Sequence, residues 1–519
     1  MSDHHADTPA STTPDYDLVI IGGGINGAGI ARDAAGRGLR VLLCEQADLA
    51  GHTSSASTKL IHGGLRYLEY YEFGLVRKAL REREILWRIA PHIIWPLRFV
   101  MPHARSLRPA WLIRAGLLLY DHLGGRKRLP ASRGINLARH AGGKPLADTY
   151  KRGFIYSDCW AQDARLVVLN AMDARQHGAT IMPRTRCVSA NRAHGQWQVT
   201  LQPVPCGEPC RISAAALVNA AGPWVARTIE DTAHMGTSHN IQLVKGSHIV
   251  LPRLFEHDHA YLFQHTDGRV IFAIPYEQDF TLIGTTDVSY SGDPAAASAS
   301  TEEIAYLCDA VNRYLRHPIR PNDVLSTYSG VRALYDEHEN DNAAAVSRDY
   351  MLDLQGTDSA PLLSVFGGKI TTYRTLSEQA VDRLLQAMGH SGQHWTGAAP
   401  LPGGDMPGGD FDRFVDMIRR QYPWLPDAML LRLTRNYGTC IRHILADADS
   451  LDDLGAHFGH GLYAAELRYL TQYEWARTAR DILWRRTKLG LRMNATQVAE
   501  VDVWLDTNAP LESALPRTG

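Results

Sequence analysis

Leu18 to Ile21 is a short, β-branched apolar run, the pattern of a parallel strand buried on both faces. It opens a segment, residues 17–45, in which a glycine turn, a helix of small residues and a second apolar run follow in order and end on Glu45. Residues 73–90 show helical spacing, with Leu75, Ala79, Leu86 and Ala90 near one face and Pro91 as the stop. Alternating runs such as Trp197-Gln-Val-Thr-Leu and the apolar stretch Ala214 to Ala221 then predict strands. Residues 241–290 are strand-rich, at Gln242 to Leu251, Val270 to Ile274 and Phe280 to Gly284, which predicts an antiparallel sheet inserted within the first domain. A strand–turn–helix pattern returns over 362–380. The Gly/Pro-rich stretch 394–410 reads as a linker. Residues 411–507 read as helices only, including one long segment from Ala464 to Leu489.

The fold class is therefore α/β (α+β overall): a Rossmann-like nucleotide-binding domain, an inserted antiparallel-sheet domain and a C-terminal all-helical domain. The expected boundaries are a disordered lead over 1–15, a discontinuous nucleotide domain of 16–90, 150–235 and 330–390, and an inserted sheet domain of 91–149 and 236–329. The linker 394–410 and a helical domain over 411–519 complete the chain.

Length and charge narrow the picture. At 519 residues the chain is too long for one ordinary domain, and a formal charge of −1 argues against a nucleic-acid partner. The seven cysteines form no metal-like cluster, so no metal is expected. Cys206 and Cys210, the close pair, read as loop thiols suited to a reducing compartment. Residues 1–15 carry neither signal nor transit pattern, and no uncharged apolar stretch is long enough to span a membrane.

The opening segment has every part of a dinucleotide site. Gly22 allows the tight turn, Gly24 lets the backbone approach a pyrophosphate, and Gly27 and Ala31 let the helix pack close to the sheet. The helix N-terminus favours an anion. Glu45 is placed to bind both hydroxyls of an adenosine ribose. The motif by itself does not choose between NAD and FAD. Three further stretches favour FAD. Residues 53–68, from Thr53, Ser54 and Ser55 through Thr58, Lys59, Leu60, His62 and Gly63 to Leu68, offer hydroxyls and amides where a flavin's phosphates and ribityl chain run; a capped helix start is the plainer alternative. Leu217-Val-Asn-Ala-Ala-Gly-Pro-Trp, with Ala221, Gly222 and Trp224, gives a second close backbone approach. In Leu363-Ser-Val-Phe-Gly-Gly-Lys-Ile-Thr-Thr-Tyr, Gly367 and Gly368 are expected to open a helix whose dipole stabilises negative charge on a reduced flavin.

With these strings in view the chain resembles FAD-dependent glycerol-3-phosphate dehydrogenase of the bacterial aerobic type. The resemblance rests on Gly-Gly-Gly-Ile-Asn-Gly-Ala-Gly-Ile-Ala, Lys-Leu-Ile-His-Gly-Gly-Leu-Arg-Tyr-Leu-Glu, Lys-Gly-Ser-His-Ile-Val, Ile-Gly-Thr-Thr-Asp, Tyr-Ser-Gly-Val-Arg and Ser-Val-Phe-Gly-Gly-Lys, and runs from about residue 17 into the helical region. The polar lead is longer than the family suggests, and the calcium-binding loop of mitochondrial relatives is not visible. The resemblance implies an FAD domain of the glutathione-reductase or D-amino-acid-oxidase kind, oxidation of sn-glycerol 3-phosphate to dihydroxyacetone phosphate, and transfer of electrons to membrane quinone. It also implies a homodimer at the cytoplasmic face of the inner membrane. Cofactor contacts are expected from Gly22, Gly24, Asn26, Gly27, Glu45, Thr53, Ser54, Ser55, Thr58, Lys59, Leu60, His62, Gly63, Val188, Ala221, Gly222, Trp224, Gly367, Gly368, Lys369, Ile370 and Thr371.

The substrate's phosphate suits a guanidinium fork. Arg332 and Arg66 lie in matching strings, Tyr67 adds a hydroxyl, Thr285 sits in Ile-Gly-Thr-Thr-Asp, and Lys369 follows the double glycine. Each has an ordinary alternative as a solvated or ion-paired side chain. Hydride transfer from C2 to flavin N5 needs the hydroxyl proton removed, and His248, in Lys-Gly-Ser-His, is the candidate base among 23 histidines. Residues 103–128 carry Arg105, Arg108, Arg114, Arg126, Lys127 and Arg128 against Asp121, with Trp111, Leu112 and Leu117 to Leu119 as an apolar body. That composition suits a helix in an anionic membrane interface or, equally, a core helix with solvated flanks; the quinone acceptor implied by the resemblance favours the membrane. The competing functions are an oxygen-using flavin oxidase of glycerol 3-phosphate or of an amine, a nicotinamide dehydrogenase, and a non-catalytic FAD-binding scaffold.

Overall fold

The computed structural model describes residues 13–104, 108–125, 128–236, 241–265, 269–335, 349–356 and 359–508. Two sheets organise them. The first has parallel strands Val41–Glu45, Tyr16–Ile21, Cys210–Asn219 and Leu362–Phe366 side by side, with Thr180–Pro183 added in parallel at one edge and Met351–Gln355 antiparallel at the other. The hairpin of Thr185–Ala193 and Gln196–Pro203 extends it through Cys210–Asn219.

The second sheet has ten strands. Ile241–Pro252 lies between Ser326–Tyr335 and Phe280–Gly284, and the sheet continues through Val270–Tyr276 and Ala260–Gln264 to Ile94–His103 and Arg152–Ala161. It is mixed, since Ala260–Gln264 pairs in parallel with Ile94–His103. Its membership crosses the boundaries expected at 150 and 330, since Arg152–Ala161 and the end of Ser326–Tyr335 belong to it, and it also takes the short strand Leu60–Ile61 from within the expected 16–90 segment. The physical reason lies in the pairing partners. Ile94 through His103 hydrogen-bonds along its whole length with Arg152–Ala161, so hydrogen bonds rather than sequence position set the layer.

The helix Ile25–Gly36 packs its small residues against helices Asp163–Gln176 and Tyr373–Ala387 on one face of the first sheet. Ala28, Ile30, Ala31 and Ala34 are fully buried there. The helix read over 73–90 is Phe73–Ile89, and its buried stripe is Val76, Ala79, Leu80, Leu86 and Ile89, with Leu75 half-buried.

Three local readings change. The helix expected to open at Gly367 and Gly368 begins at Tyr373; both glycines have positive φ (72° and 100°), and Lys369 to Thr372 form a turn first. The single long helix over 464–489 is two pieces, Ala464–Tyr473 and the short Asp481–Arg486. The break serves Glu474, a fully buried acid that accepts from Arg165 and faces Arg486 at 3.7 Å, while the next residue, Trp475, turns the chain with φ +56°. The segment 103–128 is a strand end followed by the helix Ala110–Leu123, with Leu117, Tyr120 and Asp121 buried and Trp111, Leu112, Leu118 and Leu119 exposed. Arg105, Arg126 and Lys127 lie outside the described residues.

Buried ion pairs staple the C-terminal helices to the sheet domains. Asp48, three residues past Glu45, is held by Arg485 (2.5 Å) and Arg486 (2.6 Å), and these guanidinium groups keep its carboxyl below the usual range against the push of burial. No described helix is long and apolar enough to cross a membrane. All seven cysteines are free.

Candidate active site

The glycine turn is shaped by contact with the neighbouring strand. Gly22 has φ +113°, and a Cβ there would stand 2.5 Å from the Ala220 carbonyl oxygen, so both the conformation and the space demand glycine. The helix that follows has no side-chain cap of its own. Instead the Ile25 amide donates to Ser54 Oγ at 3.0 Å, which satisfies one of the unpaired amides of the first turn. Glu45 ends its strand with Oε2 accepting from the Gly23 amide (2.7 Å) and Oε1 from the Ala47 amide (2.8 Å). Burial pushes its carboxyl up, and those two amides pull it back. Each oxygen keeps a further lone pair, so the anchored carboxylate can still accept two hydroxyls.

These groups line a cleft of about 680 Å³. Gly22, Gly24, Glu45, Thr53, Ser54, Val188, Ala221, Gly222 and Trp224 all lie on its wall, so the structure brings together nine of the residues expected around the cofactor from four separate stretches of chain. The size falls within the range of small-molecule sites. Donors at a helix start, an anchored acid and an open wall fit an adenine dinucleotide. His52, not singled out from sequence, packs edge-on to Trp224 at 4.7 Å.

The rest of 53–63 is placed differently from the sequence reading. Thr53 Oγ1 donates to the Val331 carbonyl (2.7 Å) and Ser55 Oγ to the His52 carbonyl (3.0 Å). Thr58 Oγ1 is hydrogen-bonded to His248 Nε2 (2.9 Å). Lys59, expected to face the cofactor, is buried in an ion pair with Asp163 (2.9 Å). Leu60 is buried within the second sheet. The His62 amide donates to Thr371 Oγ1 (3.3 Å) and the Gly63 amide to Tyr120 Oη (2.8 Å). The hydroxyls of this stretch thus brace the protein itself. Asn26 likewise donates to the Gly367 carbonyl at 3.2 Å and ties the first helix to the second glycine turn. Ile370 follows in that turn, half-buried.

The second sheet carries Arg332, Thr285 and His248. A Cβ on Gly246 would stand 2.7 Å from Thr285 Oγ1 and 3.1 Å from Arg332 Nη2, so both side chains flank this glycine. Arg332 Nη2 donates to Asp287 Oδ1 at 2.9 Å. Asp287 is the closing acid of Ile-Gly-Thr-Thr-Asp, a signal in the sequence that gives Arg332 a partner. His248 stacks on Tyr328, with centroids 4.7 Å apart, and its ring lies over Gly284. It is 2 % exposed, and Nδ1 is buried without a hydrogen-bond partner. Burial, then the Lys59 and Arg332 charges, hold its pKa well below the ordinary histidine value, so the ring is neutral. His248 presents no open nitrogen to a cleft; the half-buried Thr58 is its polar neighbour.

Lys369 and Tyr67 form the other flank. The Lys369 ammonium lies 4.1 Å over the Tyr67 ring. It is buried and has no hydrogen-bond partner among the described residues, which favours an incoming anion. Arg66 is turned aside, its Nη2 donating to Tyr70 Oη at 3.2 Å. Phe272 has its ring 6.4 Å from that of His62 and is in register with Gly284, over which His248 lies. Nearby, Lys78 donates to Tyr350 Oη at 2.5 Å, a pairing across 272 residues that no local pattern announces.

The chain matches the FAD dependent oxidoreductase family over residues 17–401 and the C-terminal domain of alpha-glycerophosphate oxidase over residues 394–506. It belongs to the FAD-dependent oxidoreductase family. FAD is its cofactor. Among relatives, glycerol-3-phosphate dehydrogenase from Pseudomonas aeruginosa is 52% identical over 98% of this chain and 98% of its own. D-erythritol 1-phosphate dehydrogenase from Brucella abortus is also 52% identical, over 94% of this chain and 97% of its own. The crystal structure of glycerol-3-phosphate dehydrogenase from Bacillus halodurans complexed with FAD superposes with a TM-score of 0.73 at 28% identity, covering 95% of this chain and 94% of that one. The glutathione-reductase or D-amino-acid-oxidase kind of FAD domain and the C-terminal helical domain are as the sequence predicts.

Proposed function

We propose that this FAD enzyme oxidises sn-glycerol 3-phosphate to dihydroxyacetone phosphate and passes the electrons to quinone at the cytoplasmic membrane. The observation that carries the reading is the Lys369 ammonium, buried, lacking a hydrogen-bond partner among the described residues and lying beside the Gly367–Gly368 turn. It supplies a positive charge that favours an anionic substrate and a hydroxyl oxygen to accept from it. The names of relatives at 52% identity point to the same substrate class.

In this reading Glu45, the helix start at Gly24 and the wall formed by Ala221, Gly222 and Trp224 hold FAD. When bound there, FAD would supply the two-electron acceptor for the substrate's hydride. Arg332, oriented by Asp287, binds the phosphate. Lys369 places the alcohol and offsets negative charge. The proton of the C2 hydroxyl leaves toward the Thr58–His248 pair, whose imidazole is neutral. Loss of that proton and of the C2 hydride turns the alcohol into a ketone.

The exposed Trp111, Leu112, Leu118 and Leu119, with Tyr70, Tyr71 and Phe73 on adjoining segments, support attachment to a membrane surface. A homodimer remains the expected assembly.

The relative named for D-erythritol 1-phosphate sustains a second reading, in which the site takes a four-carbon polyol phosphate. Anaerobic mixing of the holoenzyme with each substrate decides. Bleaching of the flavin by glycerol 3-phosphate at the lower half-saturating concentration supports the first reading. Preferential bleaching by erythritol 1-phosphate supports the second, and bleaching by neither overturns both. Stoichiometric peroxide during aerobic turnover would replace quinone with oxygen as acceptor.

A further inference from the structure

The ring of His248 is held by a segment that is itself held by a buried charge. Lys59 Nζ lies 2.9 and 3.0 Å from the two carboxylate oxygens of Asp163 and 3.0 Å from the Ser55 carbonyl oxygen, with the Tyr328 ring centroid 4.9 Å away. Asp163 also accepts from Ser57 Oγ at 2.8 Å. Tyr328 donates to the Ser57 carbonyl at 2.9 Å and stacks on the imidazole. Thr58, between Ser57 and Lys59, bonds to the ring at Nε2. Lys59 and Asp163 are 2% and 0% exposed. Burying such a pair seldom adds net stability, because desolvation offsets the attraction. Its place one residue from Thr58 points to another role.

We propose that Lys59 and Asp163 are positioning residues for His248: their ion pair fixes segment 55–59 so that Thr58 and Tyr328 hold the imidazole in one orientation, and it keeps a positive charge beside the ring. This deepens, and rests on, the reading of His248 as the proton acceptor.

The charge has a definite sign of effect. Burial first, then Lys59 and Arg332, disfavour the imidazolium. Lys59 is faced by Asp163 from the helix Asp163–Gln176, by Glu277 from the turn after Val270–Tyr276, and by Lys488 from the C-terminal helices. Burial pushes Glu277 up and brings Lys488 down to about 7. Removing the Lys59 charge therefore raises the pH at which His248 becomes protonated.

The test is the rate of anaerobic flavin reduction by glycerol 3-phosphate in a single turnover, followed from about pH 5 to pH 9. In the wild-type holoenzyme the rate is expected to hold to low pH. In Lys59→Met/Asp163→Asn, which removes both charges and leaves no buried charge unpaired, the acid limb is expected to move up by roughly half a unit, less than the loss of a lone charge would give because the loss of Asp163 offsets part of the Lys59 effect. Lys59→Arg should return it to the wild-type position. A double variant whose rate falls equally at every pH, with the limb unmoved, overturns the proposal. Should that variant lose its flavin, Tyr328→Phe cuts the tether to Ser57 while keeping both charges; a wild-type rate there overturns the positioning role. His248→Gln separates the two claims. If it reduces flavin at the wild-type rate, the reading of His248 as base fails. If it is slow while the double variant leaves the limb in place, only the present inference fails.

Discussion

A Cβ on Gly27 would stand 1.9 Å from the carbonyl oxygen of Gly22. The two glycines bring the first turn of the helix onto the end of the first strand, and nothing larger fits between them. Gly27→Ala is expected to cost about 1–3 kcal/mol by overpacking and to displace the amides at the helix start. Purified Gly27→Ala should carry little flavin, read from the ratio of flavin to protein absorbance. A fully loaded variant would show that the turn relaxes without consequence for the cofactor.

Arg332 donates to Asp287, and both lie beside Gly246 on the second sheet. Arg332→Ala should weaken use of glycerol 3-phosphate by about 1.5–3 kcal/mol, the worth of hydrogen bonds to a charged group, which is a ten- to hundredfold rise in KM. FAD content should not change, because Arg332 does not line the cofactor cleft. Steady-state kinetics with an artificial acceptor provide the measurement, and an unaltered KM would remove Arg332 from phosphate binding.

Trp111 is 71% exposed and Leu118 50% exposed on one helix. Burying a side chain of this kind is worth about 1.5–3 kcal/mol, so Trp111→Glu/Leu118→Glu should release most of the enzyme from vesicles containing anionic lipid. Flavin reduction in solution should remain at the wild-type rate. Sedimentation with vesicles reads the effect; undiminished binding would place the membrane contact elsewhere.

His92 is fully buried, neither ring nitrogen has a hydrogen-bond partner among the described residues, and burial with the nearby Arg165 and Arg435 charges brings its pKa from 6.5 to about 3. The unfolded chain takes up a proton below pH 6.5 and the folded chain does not until about 3. This group's contribution is therefore present above pH 6.5 and lost as the pH falls toward 3. In His92→Leu the fall in Tm between pH 7 and pH 5 should be smaller than in wild type. An equal fall in both would contradict the assignment.

The parts legible in the sequence are those whose partners lie close along the chain. The strand, turn and helix from Tyr16 to Gly36 and the acid at Glu45 fall within a single unit, and composition and spacing announce them. The strand-rich composition likewise predicts strands at 242–251, 270–274 and 280–284, against observed strands at Ile241–Pro252, Val270–Tyr276 and Phe280–Gly284. What escaped depends on distant partners. Lys59 reads as a cofactor ligand until Asp163, 104 residues away, is placed against it. The helix pattern at 464–489 is broken because Glu474 is required by Arg165, 309 residues earlier, which no periodicity records. Arg66 sits in the expected string, yet its own neighbour Tyr70 takes the guanidinium.

The clamp of Arg485 and Arg486 on Asp48 sets an order of events during synthesis. Asp48 leaves the ribosome more than four hundred residues before its counter-charges do (the separations are 437 and 438). Until then the loop beside Glu45 carries an acid with a strong reason to stay in water. The loop that carries Ala47 and Ala50 to the wall of the cleft is therefore expected to settle only after the C-terminal helices have docked on it.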